Sequence, residues 1–233
     1  MLGVIVNVVA VIIGGTAGTF LKKGIPEKFV KAIMTGIGLC VVYIGISGAL
    51  KGSNTLVLIV STVLGVAVGT LIDIDGKLNR FGSWIEKKLT KGDKKIPVAE
   101  GFVTGSLLFC VGSMTIVGSL NAGLLNDNEM LYIKSLLDLI SSTMLAATLG
   151  IGVVLSAVFV LVFQGALVLL AQQLSGLLTD SAVAEMTCAG SVIIIALGLN
   201  LIGISKIKVA DFIPAIIFAP IFVWLAGFLP FSL

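Results

Sequence analysis

The 233-residue sequence contains no histidine, and only 12% of its residues are charged. The lack of histidine removes the commonest general base and the commonest transition-metal ligand. The scarcity of charge excludes an ordinary soluble domain, which carries about 25% charged residues. With 58% apolar residues, a soluble fold of this length could not cover its own apolar surface. Cysteine is also scarce. Cys40, Cys110 and Cys188 each sit inside an apolar run without CxxC spacing and read as reduced packing residues. A three-thiolate metal site would require those runs to converge. There is no acid pair, HExxH, nucleophile elbow or phosphate loop, and Gly36-x-Gly38 lies in an apolar run without the strand a dinucleotide site needs. The expectation is a non-enzyme with no cofactor and no resident metal. The net charge of +3 is small and gives no footing for nucleic acid.

Long apolar runs fill the chain. They cover residues 2–21, 29–50, 56–74, 99–120, 131–149, 150–174, 182–204 and 209–229. At roughly 20 residues per crossing, these predict an all-α, polytopic transmembrane bundle of eight spans. The prediction is a single domain over 1–233, with no room for a soluble one. The fifth and sixth runs are continuous from Leu136 to Leu174. One helix of that length would measure roughly 58 Å, nearly twice the hydrocarbon thickness. Gly150-Ile151-Gly152 is the natural break, with a re-entrant segment as the alternative. The first run lacks a basic leader and reads as a retained span.

Basic residues set the orientation. Lys22, Lys23, Lys28 and Lys31 follow span one. Lys77, Arg80, Lys87, Lys88, Lys91, Lys94 and Lys95 follow span three, and Lys206 and Lys208 follow span seven. Eight spans place all of these on one side. The positive-inside rule then puts them in the cytoplasm and both termini outside, in an inner or plasma membrane. Within 77–95, Leu78, Phe81, Trp84, Ile85 and Leu89 recur at helical spacing between cations. That pattern predicts an amphipathic helix on anionic membrane lipid.

Two internal echoes suggest pseudo-symmetric repeats. Spans one–two and three–four share Val-x-x-Val…Gly-Thr and Thr-Gly…Cys-Val patterns. Ile44-Gly45-Ile46-Ser47 matches Ile202-Gly203-Ile204-Ser205 in spans five apart, which would be inverted, and the same offset brings Glu27 onto Glu185.

Polar groups within spans carry the functional expectation, because lipid offers them no partners. The fourth span holds Gly112, Ser113, Thr115, Gly118, Ser119 and Asn121. A helix broken there would turn carbonyls and hydroxyls toward a desolvated cation; the alternative is close packing by small residues. Lys134 and Asp138, four apart, share a helix face with Ser141, Ser142 and Thr143 nearby. They form either a structural ion pair or, through Asp138, part of a cation path, with Lys134 near the membrane edge. Gln164 is either an interhelical clamp or a pathway ligand, and Asn7 and Asn200 are lesser candidates. Asp211 reads as a helix cap or interface charge, and Pro214 and Pro220 as sources of a kink in the last span.

The segments Gly101-Phe102-Val103-Thr104, Phe109 to Gly118, Lys134-Ser135-Leu136-Leu137-Asp138, Ala147 to Val153 and Gln164-Gly165 resemble, in that order, a family of prokaryotic membrane proteins called domain of unknown function 554. Gly14 to Gly18 and Leu199-Asn200-Leu201-Ile202 extend the resemblance over nearly the whole chain. Ser113 departs from the proline or small residue the family pattern leads one to expect. The resemblance implies a polytopic inner-membrane protein, of a kind usually described as transporting a substrate not yet assigned. Residues and resemblance together lead to a transporter or channel for a small ion, foremost a monovalent cation. Its path would use Asp138, Ser113, Thr115, Asn121, Gln164 and Lys134 in a homo-oligomer, a dimer by size. The alternative is a scaffold or sensor acting through the basic loop.

Overall fold

A computed structural model describes residues 1–21, 27–89 and 98–226, without the side chains of residues 27, 30, 82, 85–89 and 113. Lys22, Lys23, Lys91, Lys94 and Lys95, and the side chains of Glu27, Lys87, Lys88 and Ser113, therefore lie outside the described residues. The described chain is helical, with no strand. The helices are α1 (Leu2–Leu21), α2 (Glu27–Ala49), α3 (Thr55–Ile72), α4 (Ile74–Leu89), α5 (Val98–Cys110), α6 (Ser113–Leu124), α7 (Glu129–Leu149), α8 (Ile151–Leu169), α9 (Ala171–Leu174), α10 (Asp180–Ile202) and α11 (Ile213–Ala226). A 3₁₀ turn, Val209–Phe212, leads into α11.

Seven of these stretches are long and apolar enough to cross a membrane: α1, most of α2, α3, α7, α8, α10 and Val209–Ala226. The eighth crossing is the pair α5–α6, bent by 61°. Its register on α8 distinguishes a broken span from a re-entrant loop. Gly101 lies on Gly152 and Val153, Gly105 on Ser156, and Gly123 on Val168 and Ala171. Both halves thus advance along α8 in the same direction, whereas a re-entrant loop would turn back. The joint is Gly112, whose φ of 152° is a conformation side-chain-bearing residues rarely adopt. Gly150, at φ 76°, separates α7 from α8 where the sequence places the break.

Lipid tails are as apolar as leucine, so helices associate by close packing, which favours small residues. The two largest interfaces are built this way. In the parallel pair α1–α7, Gly3 meets Asn128 and Leu131, Gly14 meets Leu139 and Ser142, and Gly18 meets Thr143 and Ala146. In the antiparallel pair α2–α10, Gly38 meets Gly198 and Ile202, while Gly45 meets Ser191 and Ile195. Likewise α3 crosses α11 antiparallel, with Gly65 on Ala215 and Gly69 on Asp211. Val4 and Val168 share one cluster while Gly15 meets Val154, so α1 and α8 are antiparallel too. Helices α1, α2 and α3 therefore pack antiparallel on α8, α10 and α11, taken in the same order along the chain. Spans two and seven, which carry the second echo, pack on one another, with Gly45 on Ser191 and Ile195 rather than on its echo Gly203.

Helix α10 is the axis, with 72% of its span buried against 17% for α2. Exposed Ile13, Leu39, Val63, Leu136 and Val162 form part of the apolar exterior a bilayer would cover. Amphipathic α4 starts at Ile74, straight after the left-handed cap Asp73 of α3. Asp211 Oδ1 accepts from the Asp75 backbone N–H at 2.9 Å, so Asp211 caps the amphipathic helix rather than its own span. The end of the bundle with Lys77, Arg80, Lys206 and Lys208 is called the basic end below.

Candidate functional site

Register brings the intramembrane polar residues into one layer. Toward the end opposite the basic one, Val4, Ala122, Leu131 and Val168 form a small buried cluster from α1, α6, α7 and α8. About one turn deeper along those helices come Asn7, Ser119, Lys134 and Gln164, and about two turns deeper come Thr115 on α6 and Asp138 on α7. The break at Gly112 and the last residue of α5, Cys110, lie at this level. The layer is thus closed from one side by the apolar cluster and bounded on the other by the main core, which includes Val11, Leu145, Val160 and Phe109.

Lys134 and Asp138 form an ion pair of 2.5 Å, with only 6% and 5% of each residue exposed. The sequence places Lys134 near the membrane edge. The structure buries it, because Gly3 packs on Asn128 and Leu131 and its N–H donates to Asn128 Oδ1 at 3.0 Å, drawing α1 over the start of α7. The Asn7 carboxamide lies beside Asp138, outside hydrogen-bond geometry. Cys110 is within electrostatic reach of both charges. Asn7 and Gln164 are fully buried, and neither end of either amide has a hydrogen-bond partner. Each such group costs roughly 1–3 kcal/mol when left unmade.

The other expected residues sort differently. Thr115 is buried, and its Oγ1 donates to the Phe109 carbonyl at 3.0 Å, tying the two halves of the broken span. That bond uses the hydroxyl's proton and leaves its oxygen lone pairs able to accept or to coordinate. Asn121 sits at the far end of α6, half-buried and outside the layer. The side chain of Ser113 lies outside the described residues. Asn200 is a loop clamp: its Oδ1 accepts from Ser205 Oγ and Ile207 N–H, and its Nδ2 donates to the Ile207 carbonyl. The three thiols do not converge, since Cys188 donates to the Ala49 carbonyl near the far end. Among the described residues, no group of three His, Cys, Asp or Glu could hold a metal.

Cavities adjoin the layer. One of about 410 Å³ lies between α2, α5 and α7, and Asp138 is the one charged group in its lining. Its rim includes exposed Ile33, Ile44 and Met144, so it opens sideways to the lipid face. At the basic end, a polar cavity of about 330 Å³ is lined by Asp75, Asn79, Glu100, Asn200, Lys206 and Lys208 among others. An apolar cavity of about 360 Å³ shares Leu78 and Val103 with it and runs along α5 to Cys110. Thr104 and Ser106 on α5 also carry unpartnered buried hydroxyls.

Sequence reasoning gave Glu185 no more than a place at the start of its helix. It is 1% exposed, and its Oε1 accepts from Ser53 N–H (2.6 Å), Asn54 N–H (2.8 Å) and Ser53 Oγ (3.2 Å), anchoring the α2–α3 turn. Its other oxygen is buried without a partner. An acid more than one turn inside an apolar helix was the available signal.

The chain is 31% identical to the uncharacterized membrane protein YdfK of Bacillus subtilis (strain 168), with 96% of each chain covered. It is 30% identical to the uncharacterized protein YqgA of Escherichia coli (strain K12), with 94% of each covered. No solved structure matches it. Residues 2–224 match the profile of the family described as protein of unknown function DUF554, and the chain, a membrane protein, belongs to that family.

Proposed function

We propose that this protein passes a small ion, foremost a monovalent cation, through the polar layer between α1, α5–α6, α7 and α8. The observation that carries this reading is the pair of fully buried, unpartnered amides, Asn7 and Gln164, at the level of the Lys134–Asp138 ion pair. Four amide atoms without partners, several kcal/mol in sum, are hard to account for as packing. A desolvated cation between them would take up the two amide oxygens, with Asp138 supplying charge. The polar cavity at the basic end, beside the start of α5, gives that ion an entrance. In this reading the basic end faces the cytoplasm of the plasma membrane, with both termini outside. The protein acts as a homodimer and not as an enzyme.

The test is flux into proteoliposomes holding purified protein, across Na⁺, K⁺, H⁺ and Cl⁻ gradients. Wild type passes a cation, and Asp138→Asn and Gln164→Leu each lower the rate at least tenfold. Unchanged flux in both variants removes the path from this layer. No flux of any ion favours the other reading, a membrane scaffold working through amphipathic α4.

A further inference from the structure

The apolar cavity of about 360 Å³ has no use in the ion path, because among the described residues its lining carries no charge and offers a desolvated cation no ligand set. Its surroundings suit a hydrocarbon chain. A row of aromatic rings descends beside it from the surface helix: Trp84 stacks on Phe81, Phe81 meets Phe102 edge-on, Phe102 meets Phe159 edge-on, and Phe159 stacks on Phe163. Along α5 the lining runs from Phe102 to Val111, roughly 13 Å of helix. Ile217 of α11, 60% exposed on the apolar exterior, marks its mouth toward the bilayer.

Toward the basic end this slot shares Leu78 and Val103 with the polar cavity of about 330 Å³. There the lining mixes signs: Lys206 and Lys208 stand with Asp75 and Glu100. About one turn beyond Val103, Ser106 supplies the one hydroxyl of the slot among the described residues. Ser106 is 5% exposed, and its Oγ has no hydrogen-bond partner. A buried hydroxyl in an apolar lining calls for an acceptor brought by whatever fills the slot.

We propose that the two cavities form one binding site for a phospholipid whose headgroup carries both a phosphate and a primary ammonium, taken from the leaflet at the basic end. The phosphate meets the Lys206 and Lys208 ammoniums, and the lipid's ammonium donates to the Asp75 and Glu100 carboxylates. A headgroup of negative charge alone would face two carboxylates, and a quaternary ammonium has no N–H to donate. One acyl chain fills the slot between α5, α8 and α11, and the other stays in the bilayer past Ile217. The Ser106 hydroxyl donates to the ester carbonyl where the buried chain joins the glycerol, just below the headgroup. The site goes beyond the cation path and stands whether or not an ion crosses the polar layer.

The experiment titrates delipidated full-length protein in detergent with phosphatidylethanolamine, phosphatidylglycerol or phosphatidylcholine of identical chains, read by native mass spectrometry. Wild type binds one phosphatidylethanolamine per chain, about tenfold more tightly than either of the others. Lys206→Glu, in the exposed loop after α10, abolishes that preference. Ser106→Ala adds no volume and leaves no polar group unmet, so the fold is kept. It weakens ester-linked phosphatidylethanolamine about fivefold and leaves the ether-linked lipid, which has no carbonyl, unchanged. Binding without headgroup preference, as in a shell of bulk lipid, overturns the site, and so does a preference for phosphatidylglycerol. Equal effects of Ser106→Ala on ester and ether lipids overturn the placement of the chain. Glycerophosphoethanolamine binding as tightly as the whole lipid shows that the slot is not used, and overturns it as well.

Discussion

Consider Gly18→Ala in α1 beside Gly36→Ala in α2. The chemistry is identical: one methyl on a helical glycine in a membrane span. Ideal geometry puts the new carbon of Gly18→Ala against the Thr143 carbonyl, with Ala146 Cβ and Ala147 N at 3.0 Å. Two of those atoms are backbone, so no side chain can swing away and α1 must move off α7. Overpacking of this kind costs about 1–3 kcal/mol. Replacing glycine by alanine in a helix returns roughly 0.5–1 kcal/mol. The net expectation is destabilisation by about 1–2 kcal/mol. At Gly36 nothing lies within 4 Å of the added carbon, so only the helix term remains and the variant gains about 0.5–1 kcal/mol. Reversible unfolding in mixed micelles, titrated with dodecyl sulfate, reads both. The midpoints should move in opposite directions, and a double Gly14→Ala/Gly18→Ala variant should cost less than twice the single one, since α1 moves once. Equal midpoints for Gly18→Ala and Gly36→Ala would refute the glycine-mediated α1–α7 contact.

Lys134→Met strands a buried carboxylate and should cost about 3–5 kcal/mol, while Lys134→Met/Asp138→Leu should regain most of it in the same titration and remain inactive in flux. Glu185→Ala removes the acceptor of two backbone N–H groups and should cost about 2 kcal/mol, with faster hydrogen exchange at the Ser53 and Asn54 amides; unchanged exchange there would contradict the anchor. The Asp75 carboxyl is pushed up by its burial and then by the charge of Asp211, with Lys208 opposing. A carboxyl raised in the folded state contributes stability that is fully present at low pH and lost as pH rises through its raised value. The docking of α4, followed by Trp84 fluorescence, should therefore weaken as pH rises from about 4 toward neutrality, and Asp75→Asn should flatten the profile.

The span count, the breaks at Gly112 and Gly150 and the amphipathic α4 were legible because each is a local property: run length, glycine position, or charge periodicity. Partner choice was not. In α1 the faces toward α7 and toward lipid are both apolar, so no periodicity separates Val11, which is buried, from Ile13, which is exposed. Asn7 gains meaning only when α7 and α8 are laid against it, and no residue near it in sequence signals that. Asn200 was read as a possible clamp or ligand because a polar side chain in a span advertises itself equally whether it lines a path or ties a loop. The burial of Lys134 was not legible because counting residues from a loop shows nothing of what packs beside it, whereas Gly3 and Asn128 draw α1 over the start of α7.

The pairing of early spans with late ones also sets an order of assembly. The first three spans take as partners α7 and α8, α10, and α11, all from the second half of the chain. A ribosome-bound chain carrying only α1 to α3 has no glycine face yet filled, and Asn7 would wait in lipid without α7 beside it. The bundle gains its core when its last three helices insert. Truncation before α11 should therefore release α3 as well as the missing helix, leaving a membrane-inserted but unpacked chain that quality-control proteases would clear.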